Sequence, residues 1–206
     1  MSSTSDLGSC SKRRAALAAA AVLVICNATP SAGAVFHSRN EALALAFPNA
    51  ERIERKTFAL TEAQAAAVAA QSRGPLESRL VTFYVAVGSD GPTGYAVIDV
   101  HRVRSLNEAL MVVLGKDGRV RSLRLLAFHE PPEYKTPERW LQQFEGRTTR
   151  DPLRVRGEIH GIAGATLSTR AVALAVRRSL ALWEVLIAPA RKNPRPARDA
   201  PVPGKS

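Results

Sequence analysis

Residues 160–169 read His-Gly-Ile-Ala-Gly-Ala-Thr-Leu-Ser-Thr, and a long amphipathic run follows at once. Gly161, Gly164 and Ala165 carry little or no side chain, so a ligand can approach the backbone closely there. Thr166, Ser168 and Thr169 place three hydroxyls at an expected helix start. The first N–H groups of a helix lack intrahelical partners and its dipole end is positive, which favours an anion such as phosphate. A threonine hydroxyl in that place can hold a phosphate or be esterified by one. The structural alternative is a glycine turn followed by a Ser/Thr helix cap, a common arrangement.

The elements that must position this stretch can be read from pattern. Ser38 to Phe47 predicts a short helix, with Glu41 in its first turn and Pro48 ending it. Residues 51–58 read as an edge strand, and Thr61-Glu-Ala-Gln64 is a capping box that opens an alanine-rich helix to about Gln71. Leu80–Val87 and Tyr95–Val103 predict strands around the turn cluster Ser89-Asp-Gly-Pro-Thr-Gly94. Residues 109–114 and 119–128 flank Gly115-Lys-Asp-Gly118, an Asp-Gly hairpin signal. Val120, Leu123 and Leu125 sit among Arg119, Arg121 and Arg124, which predicts one buried and one wet face. His129-Glu-Pro-Pro-Glu-Tyr134 reads as an extended loop, and Pro137–Phe144 as a short helix holding Trp140. In the last helix Leu174, Leu180, Trp183, Leu186 and Ile187 supply the apolar stripe, with Arg170, Arg177 and Arg178 at polar positions. Trp140, Trp183 and Tyr95 fit core positions better than stacking positions. The fold class is therefore α+β: an antiparallel sheet packed against helices, with a C-terminal helix after Gly-Ala-Thr.

The ends of the chain bound its context. Lys12, Arg13 and Arg14 precede an uninterrupted apolar run over 15–26, and Ala32-Gly33-Ala34 is an A-x-A cleavage site. Residues 1–34 thus read as a secretory signal peptide whose apolar core is short for a membrane span. An uncleaved anchor is the alternative. Ser11-Lys12-Arg13-Arg14 lacks the rest of a twin-arginine pattern, and Ile25 before Cys26 does not suit a lipobox. Export to the periplasm follows. Cys10 and Cys26 both lie in the leader, so a mature chain from Val35 has no disulfide, thiolate metal site or cysteine nucleophile. The formal charge is +11, and the leader's three basic residues against Asp6 leave +9 for the mature chain. Residues 189–206 carry +4 and five prolines. This composition predicts a disordered tail, either simply solvated or able to meet an acidic partner or an anionic membrane surface. Nucleic acid is not an expected partner, because few aromatics lie among the charges. No metal is expected, since His37, His101, His129 and His160 lack the helical spacing of a zinc motif. There is no Gly-x-Ser-x-Gly elbow, P-loop or Rossmann fingerprint.

Gly161-Ile-Ala-Gly-Ala-Thr-Leu-Ser168 resembles the signature of the bacterial FMN-binding domain, found in flavin subunits of the Rnf and Nqr electron-transport complexes and in small periplasmic proteins. The resemblance extends as a layout over roughly residues 78–187 and is specific at 161–169. His160 stands where the family has an aspartate, and Ala163 where it has serine or threonine. The resemblance implies FMN joined through a phosphoester to Thr166 by a dedicated flavin transferase. Gly161, Gly164, Ala165, Ser168, Thr169 and His160 would surround the phosphate, and His129 and Glu130, with Tyr134, would rim the cofactor. Residues 78–188 would form the FMN-binding domain, with 35–77 as a helix-and-strand lead-in. The implied function is an exported electron carrier, relaying electrons from a membrane-bound reductase to an extracytoplasmic acceptor. The alternatives are a flavin-dependent reductase with its own substrate and a cofactor-free binding module with a degenerate motif.

Overall fold

A computed structural model describes residues 34–189; the leader up to residue 33, with Cys10 and Cys26, and the tail from residue 190 lie outside the described residues. In chain order the elements are β1 (Ala34–Val35), α1 (Arg39–Ala46), β2 (Arg52–Ala59), α2 (Glu62–Ser72), β3 (Leu80–Gly88), β4 (Gly91–Arg102), β5 (Asn107–Gly115), β6 (Val120–Phe128), α3 (Glu138–Leu141) and α4 (Thr166–Leu186). The strands form one antiparallel sheet in the order β1-β6-β5-β4-β3-β2. β2, from the lead-in, pairs with β3 from Arg52↔Val87 to Ala59↔Leu80 and forms one edge. The α+β class with a C-terminal helix is the observed one.

Local chemistry accounts for the helix starts. Ser38 Oγ accepts from Glu41 N–H at 3.2 Å, capping α1. Thr61 and Gln64 cap α2 reciprocally at 3.2 and 3.0 Å, each satisfying a donor the helix leaves unpaired. The predicted broad turn over 89–94 is corrected. Gly91 takes φ +101° and pairs already with Gly88, so only Ser89 and Asp90 remain outside the ladder. A register shift between Ala86 and Val87 absorbs the extra length. The loop predicted over 129–134 contains a 3-10 turn at Pro132–Tyr134.

β6 keeps its expected apolar face only because it is bulged, and its other face is wet only in part, since Leu126 there is buried against Leu43 and Phe47. Its buried positions run 120, 125 and 128, with Leu123 packed beside them. A strand alternates by two, and the steps of three coincide with register shifts opposite Val113/Leu114 and Ala109/Leu110. One extra residue at each bulge returns the next apolar side chain to the same face. That face carries Phe83, Val85, Tyr95, Val97, Leu110, Val112 and Leu114 under α2, α3 and α4. The opposite face carries Ala86, Ala96, Met111 and Val113, covered by Ala42, Leu43 and Phe47 around α1.

α4 crosses the main face, and two contacts fix it there. Phe58, Phe83, Tyr95 and Trp183 stack edge to face in series, with centroids 6.0, 6.5 and 6.5 Å apart. Arg178 is the second contact and corrects the expected polar position. It is 1% exposed and donates from Nε and Nη2 to the two oxygens of Asp99 on β4, at 2.7 Å each. Helical periodicity could not reveal this, because the partner lies 79 residues away.

Gly118 shows how closely the β5–β6 turn meets α4. It adopts φ +80°, and a Cβ there would run into the Trp183 ring. Gly118→Ala combines a left-handed conformation with overpacking and is expected to cost about 2–4 kcal/mol. Urea unfolding checks this, with a lower midpoint and an unchanged slope as the expected result.

Candidate functional site

The N-terminus of α4 opens into a cavity of about 130 Å³ lined by Val103, Arg104, Glu130, Tyr134 and residues 164–168. Three segments build it: the β4–β5 turn, the connection after β6, and the chain entering α4.

The entering chain is clamped before it reaches the cavity. Trp140 Nε1 donates to the His160 carbonyl at 2.6 Å, and His160 N–H donates to Gln143 Oε1 at 2.8 Å. Trp140 is also buried and stacks edge to face on Phe144, at 5.4 Å between centroids. Upstream, Arg154 binds Glu158 at 2.9 Å and, with backbone bonds, holds that carboxyl down to about 2. Gly164 then turns at φ +81°, with open space where a Cβ would stand. Ala165 occupies the helix N-cap position at φ −111°, ψ 34°, and makes no side-chain capping bond. The helix start thus keeps its positive end and unpaired N–H groups facing the cavity.

The three predicted hydroxyls have different placements. Thr166 is half-buried and lines the cavity. Ser168 also lines it, is 1% exposed, and its Oγ has no hydrogen-bond partner among the described residues. Thr169 is fully buried, and its Oγ1 donates back to the Thr166 carbonyl at 3.0 Å, so it faces the core. The helix period decides this: position 169 falls on the stripe facing the sheet, as do Val172, Ala173 and Val176.

Glu130 and Tyr134 line the cavity from the connection after β6. Glu130 is committed to a structural task there. Its Oε1 accepts from the N–H groups of Arg104, Ser105 and Leu106 at 3.1, 2.6 and 2.7 Å. These bonds, Leu106 foremost, hold its carboxyl below the usual carboxylate range against the effect of burial. His129 is half-buried, its N–H donating to the Asn107 carbonyl at 3.1 Å, and it does not line the cavity. His160 and Gly161 are exposed and lie outside the cavity lining, in the clamped approach. Reading the sequence missed Val103, Arg104 and Leu167. The turn that carries Arg104 is closed by its own Val103 N–H to Leu106 carbonyl bond and held by Glu130, 26 residues further on, and no local pattern records the second hold.

This arrangement can bind an anion at the helix end. It offers unpaired backbone N–H groups, the hydroxyls of Thr166 and Ser168, a glycine that keeps the approach open, and the cation of Arg104. The volume suits a phosphate and the first atoms attached to it. Leu167, 49% accessible, lines its mouth and offers an apolar surface for a larger ring. The orphaned, buried Ser168 hydroxyl is the observation that fits the residues to the phosphate end of FMN.

Residues 107–181 match the family model described as FMN-binding domain. From the start of β5 into α4 the chain is thus similar to the FMN-binding domain, and that match indicates FMN as the cofactor. No curated protein and no solved structure matches the chain.

Hydrogen bonds to a charged acceptor contribute roughly 1.5–3 kcal/mol each. Glu130→Gln should therefore speed amide exchange at Arg104, Ser105 and Leu106 by about 10-fold or more, read by hydrogen-exchange NMR. The carboxyl is held below its ordinary value of 4.5. Its clamp is thus complete above that pH and is lost as pH falls through the lowered folded value.

Proposed function

We propose that this chain is an exported electron carrier whose FMN is joined by a phosphoester to Thr166. The observation that carries the reading is the placement of Thr166. Its side chain lines the cavity at the first position of an uncapped helix, beside the unsatisfied hydroxyl of Ser168. Thr166 Oγ would lose its proton and form the bond to phosphorus as the phosphoric anhydride bond of an activated FMN donor breaks and its other phosphate departs, so the chain gains one FMN less one water. A flavin transferase would supply the activated phosphoryl group, and this chain would supply the acceptor and its setting.

FMN, when bound, supplies one- and two-electron chemistry. The protein's own residues hold and orient. The helix N-terminus and Arg104 would balance the phosphate charge, and the small residues at 164–165 would let it approach the backbone. Glu130 keeps the 104–106 turn in place as one wall. A small cavity lined by exposed Leu167 would leave the reactive part near the surface, within reach of a redox partner. That favours a relay between proteins: a membrane-bound reductase as donor and an extracytoplasmic acceptor. The leader-like residues 1–34 support export, and the basic tail would favour an anionic membrane surface. No helix among the described residues is long and apolar enough to cross a membrane.

Co-expression with a bacterial flavin transferase and an export route tests the attachment. The expected result is a band on a denaturing gel that fluoresces under ultraviolet light, with an intact mass raised by FMN less water. Thr166→Ala should abolish both. A dark band of unmodified mass, from protein that still binds FMN when native, would overturn the covalent bond and leave a non-covalent flavoprotein.

A further inference from the structure

Four ionisable side chains lie in the apolar layer beneath α4, next to the cavity turn. Asp99 and His101 are on β4, and Glu108 is on β5 directly opposite His101 in the strand register. Arg178 reaches them from α4. They are 7%, 6%, 0% and 1% exposed, respectively. Lone charges do not survive in such a layer, so their pairing defines what each can do.

Asp99 and Arg178 satisfy one another through two bonds of 2.7 Å, and Arg178 Nη1 also donates to the Pro75 carbonyl at 2.8 Å. Burial works against the Asp99 carboxylate, yet hydrogen bonds from His101 and Arg178 hold it below its usual range. Asp99 therefore stays ionised, and His101 Nδ1, 2.9 Å from its Oδ1, carries a proton and donates it. This fixes the imidazole tautomer and leaves Nε2 as the variable nitrogen. Nε2 lies 3.8 Å from Glu108 Oε1. Neither Nε2 nor either Glu108 oxygen has a hydrogen-bond partner among the described residues. Burial pushes the Glu108 carboxyl up to about 7, with Asp99 adding to the rise and His101 opposing it.

The other charged groups around the pair are engaged elsewhere. Glu77, before β3, meets Arg178 at 3.5 Å on the outer side. Glu130, after β6, binds the 104–106 turn. His129, at the end of β6, is tied by its backbone to Asn107. Phe128 is the β6 residue opposite Glu108, and α4 presents Val172, Ala175 and Val176 to this layer. His101 Nε2 and the Glu108 carboxyl are thus left facing one another, with no other partner among the described residues. The turn joining these two residues supplies Val103 and Arg104 to the cavity wall.

We infer that the His101–Glu108 pair is a proton-binding site coupled to the cofactor cavity, taking up a proton from solvent when negative charge is added to the bound flavin. The inference rests on the flavoprotein reading for its coupling, though not for the proton site itself. The balance is simple. A donor gives an electron to the cofactor, solvent gives a proton to the pair, and reoxidation returns both. Added negative charge in a poorly screened setting strengthens proton binding at a neighbouring site, and by linkage a bound proton makes electron addition easier.

The experiment uses the full, FMN-loaded chain and its Glu108→Gln variant. Spectroelectrochemical titration between pH 5.5 and 8.5 should give a midpoint potential whose pH slope changes near 7 in the wild type and not in the variant. A redox-difference infrared spectrum of the wild type should contain a protonated-carboxyl band that shifts in D₂O. This measurement needs no variant to fold. Apo protein tests the proton site alone. Glu108 has a folded value above its ordinary 4.5, so its stabilisation is complete below that pH and is lost as pH rises through about 7. Wild-type Tm should fall over this window relative to Glu108→Gln. Parallel Tm curves together with no carboxyl band would overturn the site. A Tm difference with identical potential slopes would overturn the coupling. Protein that takes up no flavin would fail the functional reading and the coupling with it, while the apo Tm comparison would still decide the proton site.

Discussion

The bidentate bond between Arg178 and Asp99 is the constraint on which the geometry of the site depends. α4 is 21 residues long, and its first residue must face an open cavity while its later turns cover the sheet. An apolar face alone would tolerate sliding, since one leucine contact resembles another. A guanidinium that must meet one carboxylate at 2.7 Å on both oxygens does not slide. Taking two charges out of water is costly, and such a pair contributes less to stability than to registry. What it secures here is the axial position of Thr166, three turns away along the same helix.

The two ends of α4 are treated oppositely. Trp183, in its last turns, is locked over Tyr95 and against Gly118. The first turn is left without a side-chain cap. An uncapped helix start costs stability that a serine or aspartate cap would commonly restore by about 1 kcal/mol. The chain spends its polar groups around that end instead. Gln143 and Trp140 hold the approach, and Glu130 holds the facing turn. The donors of α4 itself remain free for an anion. Strain gathers on the same approach: buried Leu153 sits at φ +50° and Arg156 at φ +67°. The Leu153 carbonyl accepts from Arg177 of α4 at 3.1 Å, so the helix that benefits from the loop also holds its strained residue.

Pattern in the sequence determined a good deal. The capping box of α2, the Asp-Gly turn between β5 and β6, the α+β class and the Gly-Ala-Thr entry to α4 all follow from chemistry within a few residues, which acts the same in any context. Tertiary structure decided the rest, because the partners are distant in the chain. Arg178 looks solvated by helical period and is buried by Asp99. Thr169 looks like a site hydroxyl and is turned to the core by the packing of α4. Glu130 looks like a rim residue, and three backbone N–H groups of another turn claim its carboxylate. Arg104 and Ser168 enter the site, and His101 meets Glu108, only once the sheet register and the position of α4 are set. A local signal can specify a turn or a cap, but which buried polar group meets which is fixed only when the chain closes on itself.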